Sequence, residues 1–143
     1  MVASATLKDT SSDGGRVLVI EVWDATSESP VKTYTELIAT ILDAESMDFI
    51  VGRAPDPQSP GEIGLAVDGP TISRRHLLLR IRKLVDREGE VTFGVCDLNS
   101  SNKTYINRRA IEPNEMTPIE EGVMVYLGVE DDYTPYLTVT VRK

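Results

Sequence analysis

Short runs rich in β-branched and aromatic residues recur along this chain, and clusters of Gly, Pro, Asn and Asp separate them. Such runs are typical of β-strands, and the residues between them are typical of turns. Many short strands bury their apolar side chains most readily between two packed sheets. The sequence therefore predicts an all-β sandwich. The predicted strands cover residues 17–23, 49–51, 63–67, 77–81, 91–95, 104–106, 123–127 and 136–141.

Length and composition predict one domain with a short tail. A chain of 143 residues is long enough to bury about 68–70% of its unfolded surface. Its 41% hydrophobic and 27% charged residues are typical of a globular protein. The start of the chain is rich in Ser, Thr, Asp and Gly, so we predict a flexible tail over residues 1–15 and a single domain over residues 16–143.

No part of the sequence indicates secretion or membrane insertion. The apolar runs are far shorter than the roughly 20 residues that span a bilayer. Residues 1–5 lack a basic region followed by an apolar one. We expect a cytoplasmic protein that has no membrane partner.

The net charge of −8 is distributed unevenly along the chain. Residues 72–83 contain five basic side chains and no acidic one, whereas residues 112–133 contain acidic side chains and no basic one. A local positive field in an acidic protein favours a small anionic group over the long polyanion of a nucleic acid. We expect no nucleic-acid partner, and we interpret Arg80 and Arg82 as part of a solvated strand face because they alternate with apolar residues.

Three short motifs stand at the predicted strand boundaries. They are Gly52-Arg53, Ser73-Arg74-Arg75-His76, and the segment 97–107 that contains Ser101-Asn102-Lys103. A guanidinium group can donate two parallel hydrogen bonds to a phosphate, and serine hydroxyls and asparagine amides donate single directional ones. Loops of a sandwich can gather at one end. The three motifs therefore indicate one shared pocket for an anion.

The order of these motifs resembles the forkhead-associated (FHA) domain. That family's pattern runs Gly-Arg, then Ser-x-x-His, then Ser-x-Asn-Gly-Thr followed by a hydrophobic residue and Asn. Residues 119–128 are also similar to the family's closing turn and strand, so the resemblance covers about residues 49–141. The chain departs from the pattern at Lys103, where the family usually has Gly, and at Val123, where it usually has Asp.

The resemblance implies a fold, a function and a set of site residues. It implies an FHA-like sandwich of two twisted sheets with the binding loops at one end, and a module that recognises phosphothreonine in preference to phosphoserine. Gly52 and His76 are implied to support the loops. The residues implied to contact the phosphothreonine ligand are Arg53, Ser73, Arg74, Ser101 and Asn102.

The expected partner is a threonine-phosphorylated protein or peptide linked to a Ser/Thr kinase pathway, which makes the chain a signalling or regulatory adaptor. The alternative is an FHA-like interaction scaffold that binds a protein without phosphate. It is motivated by Lys103 and by the acidic surface. The two differ in whether binding survives the loss of Arg53.

Catalysis and metal binding have little support in the sequence. His76 and Cys96 are the sole histidine and cysteine, so no zinc site of His and Cys ligands is available. Ser73 and His76 lack the orienting group and the nucleophile elbow of a hydrolase. We predict no enzyme activity, no cofactor and no metal, and we interpret Cys96 as a small buried residue and residues 130–132 as a solvated acidic turn.

Two segments carry conflicting signals. Residues 34–42 place apolar side chains at helical spacing but contain the Thr and Ile typical of strands, and the family precedent favours a strand. Lys103 occupies a position where a glycine could adopt a positive φ. We expect this lysine either to be strained by about 1 kcal/mol or to re-form the loop.

Overall fold

A computed structural model describes residues 15–24, 26 and 28–143, and most of the predicted N-terminal tail lies outside them. The described residues form two β-sheets packed face to face, as the sequence predicts. The elements are β1 (Val17–Trp23), β2 (Lys32–Leu37), α1 (Ile38–Ala44), β3 (Ser46–Gly52), β4 (Glu62–Ala66), β5 (Leu77–Lys83), β6 (Val91–Asp97), β7 (Tyr105–Ile106), β8 (Arg109–Ala110), β9 (Met116–Ile119), β10 (Val125–Tyr126) and β11 (Tyr136–Arg142).

The first sheet has six strands in the order β2-β1-β11-β10-β7-β8, and its paired strands are antiparallel. Strand β1 pairs with β11 along its whole length, from Val17 opposite Arg142 to Trp23 opposite Tyr136. The first and last strands of the described chain are therefore neighbours, and their ladder closes the domain.

The second sheet has five strands in the order β4-β3-β5-β6-β9. Strand β4 runs parallel to β3, and the other pairs are antiparallel. The register places Gly52 beside Ala66, Val51 beside Leu77, and Leu77 beside Asp97. The ends of β3, β4 and β6 and the start of β5 thus lie at one edge of this sheet, and the loops that leave them are neighbours.

Alternating side chains of both sheets form the core. Leu18, Ile20 and Val22 of β1 face Leu77, Leu79 and Ile81 of β5 in one cluster, and all six are at most 2% exposed. Burial of each such side chain contributes about 1.5–3 kcal/mol relative to an exposed position. This core fixes the sheet from which the loops of the site project.

The prediction of a strand over residues 34–42 is wrong after Leu37. Strand β2 ends there and the helix α1 follows. Ile38 and Ile41, three residues apart, are both fully buried, and a strand would place them on opposite faces. Among the described residues, no helix is long and apolar enough to cross a membrane. The short strands β8 and β9 were not predicted either.

The interpretation of Arg80 as a solvated residue also needs correction. Its Nε and Nη2 atoms donate to the two carboxylate oxygens of Asp48 at 2.8 and 2.9 Å. Asp48 lies directly opposite Arg80 on β3. Arg82 is exposed, as predicted. The basic stretch 72–83 therefore contributes fewer free charges than its composition indicates.

Candidate functional site

Three loops meet at the edge of the second sheet: the β3–β4 loop (53–61), the β4–β5 loop (67–76) and the β6–β7 loop (98–104). The β3–β4 loop begins against the β4–β5 loop, because the amides of Arg53 and Ala54 donate to the carbonyls of Ser73 and Arg74 at 3.0 and 3.1 Å. A Cβ atom at Gly52 would lie 2.2 Å from the carbonyl oxygen of Arg74. Glycine is required here because the two backbones approach so closely.

His76 is fully buried and links the β4–β5 loop to the β6–β7 loop. The amide of Ser73 donates to its Nδ1 at 3.1 Å, so Nδ1 is unprotonated and the ring proton lies on Nε2. Nε2 donates to the carbonyl of Lys103 at 2.8 Å. Both ring nitrogens are therefore used inside the protein, and the imidazole holds the loops together instead of acting as a base.

Burial lowers the pKa of His76 below its usual 6.5, although the Lys103 carbonyl and Asp97 act in the opposite direction. Just below pH 6.5, His76 is therefore protonated in the unfolded chain and still neutral in the folded protein. We expect the contribution of His76 to stability to be complete above about pH 6.5 and to be lost as the pH falls below it. Protonation of Nδ1 also removes the bond from Ser73.

An NMR titration of the ring signals of His76 measures this pKa directly, because the chain contains a single histidine. The expected result is a pKa lower in the folded protein than in the same protein in concentrated urea. Equal values in the two states, or a higher value in the folded protein, would contradict the buried neutral imidazole.

Asp97, at the end of β6, organises the β6–β7 loop. Its buried carboxylate accepts hydrogen bonds from the Ser100 amide at 3.1 Å, the Ser100 hydroxyl at 2.5 Å and the Thr104 hydroxyl at 2.7 Å. Buried donors and acceptors are costly unless they are paired. The sequence interpretation did not include Asp97 among the site residues, although its position at a strand end, three residues before a serine, is a signal for such a turn.

The loops border an open cleft of about 400 Å³. We call it the loop cleft, and its lining residues are Arg53, Pro70, Thr71, Ile72, Ser73, Arg74, Ser101 and Asn102. The structure thus brings together all five residues expected to contact a ligand. It adds Pro70, Thr71 and Ile72, which the motifs did not indicate.

Hydrogen bonds fix the polar groups of the loop cleft. The Ser101 amide donates to the Ser73 hydroxyl oxygen at 3.0 Å, which leaves the hydroxyl proton of Ser73 available as a donor. The Asn102 side-chain amide donates to the Thr71 carbonyl at 2.7 Å. Thr71 therefore positions Asn102 through its backbone, which a sequence motif does not reveal.

The loop cleft is positively charged. Arg53 and Arg74 are exposed, and within the described part of the chain neither side chain pairs with a carboxylate. The Nε of Arg53 donates to the carbonyl of Ile72 at 3.2 Å, and its two terminal nitrogens remain available. Arg75 instead donates to the carbonyl of Asp56 and lies 3.8 Å from Glu62. Two of the three arginines near the cleft can thus meet an anion.

Lys103 keeps the left-handed backbone of a glycine position, with a φ of 69°. The strain expected at this position is therefore present, and the Lys103 carbonyl accepts the hydrogen bond from Nε2 of His76. A left-handed conformation costs a residue with a Cβ about 1–2 kcal/mol. Asn99 in the same loop also has a positive φ, of 61°, which asparagine tolerates better.

Asn107 and Arg108 form the two-residue turn between β7 and β8, with φ values of 52° and 67°. The amide of Arg108 donates to Glu130 at 2.6 Å. Both residues lie outside the lining of the loop cleft. Asn107 is therefore a turn residue and not part of the loop cleft.

Cys96 and the acidic side chains are the other groups that the sequence offered for catalysis or metal binding. Cys96 is a buried free cysteine, and burial raises the pKa of its thiol, so the protonated form is favoured. Among residues 15–24, 26 and 28–143, no group of three or more His, Cys, Asp or Glu side chains could hold a metal ion. The loop cleft offers hydrogen-bond donors and positive charge, which suit binding of an anion.

A two-sheet sandwich with a cationic cleft on the loops at one end defines the class of domain. The family model described as "FHA domain" matches residues 49–128, more than half of the chain. The chain belongs to the FHA domain family. No curated protein sequence matches it at a significant level.

Solved structures show the same fold. Full-length yeast Pml1p is 20% identical, with a TM-score of 0.63 over 92% of this chain and 85% of its own. The MEK1 FHA domain is 17% identical, with a TM-score of 0.61 over 87% of this chain and 89% of its own. The N-terminal FHA domain of Saccharomyces cerevisiae Rad53p, solved with a phosphothreonine peptide, is 19% identical, with a TM-score of 0.59 over 87% and 94%.

Proposed function

We propose that this chain is a phosphopeptide-binding module that recognises phosphothreonine in a protein partner. The observation that carries the proposal is the loop cleft, where three separate loops contribute Arg53, Ser73, Arg74, Ser101 and Asn102 to one lining. Two of these residues are arginines that no described carboxylate neutralises. Two guanidinium groups that are not neutralised by described carboxylates are suited to a dianion.

The donors match the three acceptor oxygens of a phosphate. A phosphothreonine carries a charge of about −1.5 to −2 at neutral pH. The terminal nitrogens of Arg53 bind two of its oxygens, and the Ser73 hydroxyl donates to the third. Arg74 and Ser101 complete the ring of donors around the same group.

Asn102 has a different task in this proposal. One of its amide hydrogens is used by the Thr71 carbonyl, which holds the side chain in place. The other hydrogen and the amide oxygen remain to pair with the backbone of the peptide. A fixed amide at this point recognises an extended chain and not free phosphate alone.

Known complexes of other domains with this fold support the proposal. Rad53p was solved with a phosphothreonine peptide, and the MEK1 FHA domain with the HOP1 pThr318 peptide, at 18% identity and a TM-score of 0.54 over 87% of this chain and 97% of that one. We propose further that the partner of this chain is a substrate of a Ser/Thr kinase and that the chain acts as a cytoplasmic adaptor in signal transduction.

Titration with matched peptides tests the proposal. Isothermal titration calorimetry compares one sequence that carries phosphothreonine, phosphoserine or unmodified threonine. We expect the phosphothreonine peptide to bind most tightly and the unmodified one not to bind. No phosphothreonine peptide of a library binding above its unmodified control would contradict the proposal. Equal binding of a partner protein with and without phosphate would favour the phosphate-independent scaffold.

A further inference from the structure

Lys103 is a lysine at a backbone position that suits glycine. Its φ is 69°, its side chain is exposed, and within the described part of the chain it makes no ion pair. Its carbonyl is fixed by His76, so the loop cannot relax the strain by turning this peptide. Backbone strain that the surrounding structure enforces is common at functional sites, so we ask what the side chain of Lys103 does.

The charge of the loop cleft indicates what kind of group the Lys103 side chain would bind. Arg53 and Arg74 already offer two positive charges, which balance the charge of about −1.5 to −2 on one phosphate. Lys103, the residue after the lining residue Asn102, adds a third exposed cation that makes no ion pair with a described carboxylate. A ligand that carries phosphate as its only anion would leave this cation unused.

Lys103 is close enough to the ligand for its charge to act on it. It follows Asn102, a lining residue of the loop cleft, and consecutive Cα atoms lie about 3.8 Å apart. Its ammonium group is carried on a flexible four-carbon stem. The range of an electrostatic interaction at physiological salt is about 8 Å. A peptide held by Asn102 therefore passes within reach of the ammonium group.

We infer that Lys103 determines specificity by selecting phosphothreonine ligands that carry a second acidic group, an Asp or Glu within a few residues of the phosphothreonine. This inference rests on the proposed function. The acidic β10–β11 loop limits where that second group can lie, because it contains Glu130, Asp131 and Asp132 and adjoins Asn102 through Gly128. The preference is thus for an acid at particular positions and not for negative charge throughout the peptide.

Peptides with one glutamate test the inference. A phosphothreonine peptide with alanine at its flanking positions is the reference, and a glutamate is placed at each position in turn. We expect the best glutamate peptide to bind about 2–5-fold more tightly than the reference, which is the range of an exposed ion pair. The gain should shrink as the salt concentration rises.

Two variants assign the gain to Lys103. Lys103→Asn removes the charge but tolerates the left-handed backbone, so we expect a normal fold without the preference for glutamate. Lys103→Gly should raise the urea midpoint and also lose the preference, because it relieves the strain and removes the charge. Lys83→Asn, at the far end of β5, removes the same charge elsewhere and should retain the preference.

The outcomes separate the inference from the proposed function. If phosphothreonine peptides bind but no glutamate position improves binding, or if Lys103→Asn keeps the full preference, the inference is overturned and the proposed function stands. If no phosphothreonine peptide binds at all, the proposed function is contradicted and the inference fails with it.

Discussion

Arg53→Ala is expected to weaken binding of a phosphothreonine peptide by about tenfold or more, because a hydrogen bond to a charged group contributes about 1.5–3 kcal/mol. The terminal nitrogens of Arg53 have no partner among the described residues, so their loss removes contacts to the ligand and few within the protein. The free energy of unfolding should fall by only about 1 kcal/mol, the contribution of the bond from Nε to Ile72. Calorimetry and urea unfolding measure the two effects.

The matched control for this change is Arg82→Ala. Arg82 is an exposed arginine on β5, outside the lining of the loop cleft. The Arg82→Ala variant changes the net charge by the same amount as Arg53→Ala. Because Arg82 does not line the loop cleft, the affinity of this variant for the peptide should stay close to that of the unaltered protein. Arg53→Lys should recover only part of the affinity, since an ammonium group does not donate two parallel bonds. Equal affinities of Arg53→Ala and Arg82→Ala for the peptide would show that Arg53 does not contact the phosphate.

Gly52→Ala is expected to destabilise the domain by about 3 kcal/mol, at the upper end of the usual cost of overpacking. The new Cβ would lie 2.2 Å from the Arg74 carbonyl oxygen and 2.8 Å from that of Ser73, so backbone must move. The movement separates the β3–β4 loop from the β4–β5 loop and breaks the bonds from Arg53 and Ala54. Urea unfolding gives the loss of stability, and the peptide titration gives a loss of affinity that accompanies it.

Gly122→Ala provides the comparison for this glycine. Gly122 has a φ of 84° but no neighbouring atom within 4 Å of a Cβ, so alanine there meets a backbone cost of about 1–2 kcal/mol and no collision. A Gly52→Ala protein as stable as Gly122→Ala, with its peptide affinity intact, would show that the close approach of the two loops is not required.

The fold was predictable where local pattern and tertiary packing agree. Leu77, Leu79 and Ile81 alternate in the sequence and alternate in burial on β5. The strand predicted over residues 34–42 was wrong from residue 38 onward because helical spacing and strand-forming residues coincide there, and the burial of both Ile38 and Ile41 favours the helix. Strands of two residues, such as β8, have no periodicity from which to predict them.

The motifs indicated which residues lie together at the loops, and the resemblance implied that Gly52 and His76 support them, but other supporting contacts could not be predicted from the sequence. The order of the three motifs was enough to indicate that Arg53, Ser73 and Asn102 lie near one another, since strand ends meet at one edge of a sandwich. The contact of Asn102 with the Thr71 carbonyl joins residues 31 positions apart through a backbone atom. The pairing of Arg80 with Asp48 depends on the register of β3 and β5, which local sequence does not contain.

An NMR map of the amide shifts that a phosphothreonine peptide causes on the unaltered protein tests phosphate recognition in the loop cleft most directly. The largest changes are expected at Arg53, Ser73, Arg74, Ser101 and Asn102, and none of comparable size is expected with the unphosphorylated peptide. Changes centred on a sheet face, or equal changes with both peptides, would contradict phosphate recognition in the loop cleft.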